Sequence, residues 1–113
     1  MQVHFLSRGV PDPDDLRAHL ERRAAFSFDR FRNRIRSVRV RLRDDNGPRG
    51  GADKRCSLAI ELVRGPRLFY EANDADPHAA LDRVVDRATR GLVREIERAR
   101  VFSDRIPAGG PVP

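Results

Sequence analysis

From Pro77 to Arg100 the apolar positions Leu81, Val85, Ala88, Leu92, Ile96 and Ala99 recur at steps of three and four, one stripe of a helix with 3.6 residues per turn. Arg83, Arg87, Arg90, Arg94 and Arg98 repeat the same steps two residues later, so the pattern predicts one face that packs and an opposite face that is cationic. Asp76 supplies an N-cap, and Pro77 follows in the first turn, where a helix tolerates a missing N–H. At about 1.5 Å per residue the helix is roughly 35 Å long, enough for its arginines to follow a phosphate backbone over several nucleotides. Asp82, Asp86 and Glu97 interleave with the arginines, and the competing reading of this face is a solvated surface.

Upstream the period changes several times. Gln2 to Leu6 alternates, with Val3 and Phe5 inward, and predicts a short strand. A loop with Gly9 and Pro11 leads to Asp12-Pro13-Asp14-Asp15, an N-cap, a first-turn proline and two acids that complement the helix dipole. Leu16, Leu20, Ala24, Phe28 and Phe31 give that helix its apolar side. From Ile35 the period is two: Val38, Val40 and Leu42 point one way, and Arg39, Arg41 and Arg43 the other. Asn46-Gly47-Pro48 and Gly50-Gly51 mark a connection over Asp44 to Asp53. Cys56, Leu58, Ile60 and Leu62 alternate inward in a third strand, Arg64 to Arg67 turns, and Leu68, Tyr70 and Ala72 share one face of a fourth.

The elements run βαβββα, which predicts a two-layer α+β domain: a four-stranded sheet with two helices on one face and the other face open to solvent. Arg39, Arg41 and Arg43 then form a second basic surface. The expected domain spans residues 1–102, and the Pro- and Gly-rich tail 103–113 is expected to be disordered.

The 113 residues suffice for one core. Twenty-three basic against 17 acidic side chains leave a net charge of +6, which points to nucleic acid or another polyanion. The lone cysteine, Cys56, excludes an intrachain disulfide framework and suits a reducing compartment. No stretch approaches a membrane span and the start MQVHFLSRG has no long apolar signal region, so the expectation is a cytoplasmic protein.

Catalytic chemistry is not legible. His4, His19 and His78 have no cysteine or acid at metal-ligand spacing, Cys56 lies on the inward side of a strand, and Gly47, Gly50 and Gly51 are not followed by GK[ST] or a helix. Asp12, Asp14, Asp15, Asp44 and Asp45 read as caps and turns. No catalytic residue, metal ligand, cofactor or small-molecule substrate is expected. Gly91 in mid-helix implies close approach of another backbone.

The run Leu68 to Asp82, LFYEANDADPHAALD, resembles the signature of bacterial ribosome hibernation promoting factors and ribosome-associated inhibitors. Glu71, Ala72, Asp74, Asp76, Ala79, Ala80 and Asp82 match as they stand. Met1-Gln2-Val3, Leu16-Arg17 and the passage Phe31 to Val40 extend the likeness over roughly residues 1 to 100. The resemblance implies a domain that is no enzyme, binds the 30S ribosomal subunit and its 16S rRNA in the channel used by messenger and transfer RNA, and holds ribosomes inactive in starvation or stationary phase. It carries RNA contacts onto Arg22, Arg23, Arg83, Arg87, Arg90 and Arg94, and Arg98 continues that charge stripe.

Three departures stand out. Pro77-His78 replaces the signature's Met-Tyr, although His78 is still able to stack on a base or donate to phosphate. The loop Asp44 to Lys54 is long and rich in glycine. The second, dimerising domain of the family's long forms is not expected to be part of this protein. The alternatives are a regulatory protein-interaction domain of this fold that no longer binds ribosomes, and a shape-selective RNA binder.

Overall fold

A computed structural model describes residues 1–44 and 54–105, with 101–105 as helical backbone alone. The order is β1 (Gln2–Arg8), α1 (Pro13–Phe28) running into a 3-10 turn (Asp29–Phe31), β2 (Ile35–Asp44), β3 (Lys54–Leu62), β4 (Arg67–Asp74) and α2 (Pro77–Arg105). The expected α+β architecture is the observed one. The strands lie in chain order; β1 and β2 are parallel, and β2, β3 and β4 are antiparallel. A parallel pair needs a crossover, and α1 supplies it.

Both helices begin as their sequences dictate. The Asp12 carboxylate accepts from the Asp15 N–H at 3.3 Å, with Asp12 itself in the left-handed region at φ 51°, where aspartate is among the few side chains tolerated. At α2, the Asp76 carboxylate accepts from the His78 N–H at 3.3 Å, and its carbonyl accepts the first helical bond from Ala80. The core lies between helices and sheet. Leu16, Leu20, Ala24 and Phe28 meet Val38, Val40, Leu42, Cys56, Leu58 and Ile60, while Leu81, Val85, Ala88 and Leu92 close it from α2.

The α2 stripe differs from its expected outline in two ways. It is wider at the start, where Ala80 and Val84 are also fully buried, because that half of the helix packs on both α1 and the sheet. It ends earlier, with Ile96 half-buried and Ala99 exposed. Twenty-nine residues of helix outrun strands of eight and nine, so the last turns pass beyond the sheet.

Gly91 is buried, and what approaches it is a side chain rather than the expected backbone: a Cβ there falls 2.0 Å from the Tyr70 hydroxyl oxygen. Where β2 ends and β3 begins, Lys54 Nζ reaches Asp44 Oδ2 at 3.0 Å between residues in register. The expected glycine-rich connection beyond Asp44, and residues 106–113 of the expected tail, lie outside the described residues.

Candidate nucleic-acid interface

The arginines of α2 divide into two groups. Arg83 donates to the Asp74 carboxylate at 3.1 Å and to the Asn73 carbonyl at 3.4 Å, and Arg87 donates to the Glu71 carbonyl at 2.7 Å. Glu71 and Asn73 are alternate residues of β4, whose outer side pairs with no strand among the described residues, so the two guanidinium groups cover carbonyls that an edge strand otherwise presents to other chains. The Asp76 N–H and then Arg83 hold the Asp74 carboxyl below its ordinary range. Arg90 and Arg94, one and two turns on, are exposed and make no ion pair among the described residues. Arg98 reaches Glu95 at 3.4 Å, a surface contact of little energy.

Between the helices, three pairs recur at one spacing: Asp15 with His78 at 2.7 Å, His19 with Asp82 at 2.7 Å, and Arg23 with Asp86 at 2.7 Å. Each helix advances four residues per rung, so parallel i, i+4 rows face one another as a ladder. The imidazoles of His19 and His78 meet edge to face, 5.1 Å between centroids. Arg23 Nε lies 3.1 Å from Asp82, but no acceptor lies along its N–H. Arg23 and His78, expected among the RNA contacts, therefore have partners inside the fold. Arg22, exposed on the outer side of α1, has none among the described residues. No reading of one helix at a time finds this ladder. The signal was the equal spacing of Asp15, His19 and Arg23 against His78, Asp82 and Asp86.

The open face of the sheet is cationic as expected. A shallow concavity of about 550 Å³ is lined from β2 by Arg39, Arg41 and Arg43, from β3 by Arg55, Ser57 and Ala59, and from β4 by Phe69. Glu61, also on this face, is taken up by Arg36 at 3.3 Å and Arg67 at 3.4 Å. Sequence reasoning missed Phe69. Its place opposite Leu68 and Tyr70 in the alternation of β4 was the signal, and it stands 61% exposed.

Cys56 is fully buried, and burial raises its thiol to about 12, so it stays protonated and unreactive at neutral pH. Among the described residues no helix is long and apolar enough to cross a membrane, and no three His, Cys, Asp or Glu side chains group as metal ligands.

The family model described as Sigma 54 modulation protein / S30EA ribosomal protein matches residues 3–100. The Protein Y N-terminal domain from Thermus thermophilus superposes with a TM-score of 0.68 at 23% identity, covering 83% of this chain and 98% of its own. A ribosomal subunit interface protein from Coxiella burnetii gives 0.69 at 16% identity, covering 86% and 99% respectively. At these identities the likeness is one of fold. Among curated proteins no sequence matches.

Proposed function

We propose that this chain, which belongs to the Sigma 54 modulation protein / S30EA ribosomal protein family, is a ribosome-associated translation inhibitor that binds the small subunit. The observation that carries the reading is the family match over residues 3–100, nearly the whole of the described fold. The geometry supports it through exposed cationic groups that make no ion pair among the described residues: Arg90 and Arg94 on α2, with Arg22 on α1. Guanidinium groups on a rigid helix meet phosphate oxygens bidentately without reordering the protein.

The proposed site is the channel of messenger and transfer RNA on the 30S subunit, contacted through 16S rRNA. The proposed occasion is starvation or stationary phase, in the cytoplasm. Occupying the channel inhibits by exclusion and requires no chemistry of the protein.

Sedimentation through a sucrose gradient tests this. The protein from stationary-phase cells is expected to travel with 30S or 70S particles, and the purified protein to suppress translation in a cell-free system. A protein that stays at the top of the gradient at low salt rules the reading out. Binding to naked RNA duplex as tightly as to subunits favours the shape-selective RNA binder instead.

A further inference from the structure

The ribosomal reading uses the helices and leaves the opposite side of the molecule unexplained. Across the sheet, the register places His4, Arg39, Ala59 and Phe69 side by side on the open face, and Leu6, Arg41, Ser57 and Glu71 in the next row. Phe69 is 61% exposed and Leu6 63%, although a strand position facing water ordinarily carries a polar side chain. Phe69 gains little from its cross-strand neighbour, because Ala59 is too small to pack against a ring. Ala59 instead leaves a low floor between Phe69 and Arg39, which stand two strand spacings, roughly 10 Å, apart.

Arg39 and Arg41 are exposed and make no ion pair among the described residues. Alternate residues of a strand lie about 6.6 Å apart, close to the separation of successive phosphates in an extended single strand. Glu71 on β4 repels phosphate, so a polyanion crossing this face keeps its backbone over β2 and turns its other edge toward Phe69. A ring beside a low floor, with a row of guanidinium groups alongside, suits unpaired bases stacking while their phosphates are neutralised. An acidic peptide has no use for the ring, and the shallow face offers no cleft for a small molecule.

We propose that the open face of the sheet is a second RNA site, which takes an unpaired strand with its bases on Phe69 and its phosphates on Arg39 and Arg41. The strand is a segment of ribosomal RNA: with α2 held on the subunit, the sheet face meets strands of the same particle at high effective concentration. In that choice of source, and only there, the inference rests on the reading above.

Two measurements on the full chain test it. In the first, fluorescence anisotropy follows binding of a labelled oligouridylate. Phe69→Ser and Arg41→Ser are expected to bind it about tenfold more weakly than the parent, a larger loss than the Arg90→Ser/Arg94→Ser variant shows. These side chains are exposed, and circular dichroism verifies that each variant is folded. A Phe69→Ser variant that binds as the parent does, or polyglutamate that displaces the RNA as well as oligouridylate does, overturns the site.

The second measurement is sedimentation with vacant 30S subunits, where Phe69→Ser is expected to weaken binding. If that loss appears only after a message is added, the strand is the message and the assignment to ribosomal RNA fails. If the parent ignores subunits while the oligouridylate pattern holds, the ribosomal reading and the ribosomal source fall, and the strand-binding face stands.

Discussion

Gly91 and Tyr70 show how one residue decides whether propensity or packing wins. Alanine in mid-helix is favoured over glycine by about 1 kcal/mol. Here its Cβ falls 2.0 Å from the Tyr70 hydroxyl oxygen and 2.4 Å from the ring carbon bearing it, so the ring has to move. Gly91→Ala is expected to destabilise the protein by about 1–3 kcal/mol in urea denaturation. In a Tyr70→Ala background the sign reverses, because only the propensity gain is left. Asp74 makes a second residue-scale case. Its folded value lies below its unfolded one, so the stability it contributes is complete above the ordinary carboxylate range and is lost as pH falls through the lowered value. An NMR titration should place Asp74 below ordinary aspartates. Arg83→Ala should return it only part of the way, since the Asp76 N–H is the larger cause.

Among the elements, strands and helices were legible because each buries one face, and burial writes a period of two or 3.6 into the sequence. Val38, Val40 and Leu42 gave β2 its inward side, and Leu81, Val85, Ala88 and Leu92 gave α2 its own. Contacts between elements were not legible. Asp82 and Asp86 read as solubilising charges, yet they anchor His19 and Arg23 of α1, and Arg83 and Arg87, read as RNA contacts, also cover β4. An amphipathic pattern says which side of a helix is polar but not whether that side meets water, a neighbour or a ligand. Fold and binding should therefore separate along α2. Leu92→Ala is expected to cost about 2–5 kcal/mol of stability. Arg90→Ser/Arg94→Ser should leave the melting temperature within a degree or two and weaken 30S binding. A large fall in melting temperature in the arginine variant would assign those side chains to the fold instead.

At the scale of the whole molecule, the net charge of +6 tells how the protein approaches a polyanion, and the placement of charge tells how it stays. Each arginine that neutralises a phosphate releases counterions, and log K falls against log salt by about 0.7 to 0.9 per contact. Arginines already bound to protein groups contribute less, because they have to break those bonds first. The variants should then sort by structure rather than by position in the stripe. Arg90→Ser and Arg94→Ser should each flatten the salt dependence of 30S binding by a little under one unit. Arg83→Ser, which breaks the contacts to Asp74 and Asn73, should leave the slope nearly unchanged. Folded ribosomal RNA carries its own magnesium, so the difference between variant and parent is the telling quantity. Equal flattening by all three would mean that Arg83 exchanges Asp74 for phosphate on binding, whereas parallel lines for all three would remove α2 from the RNA interface.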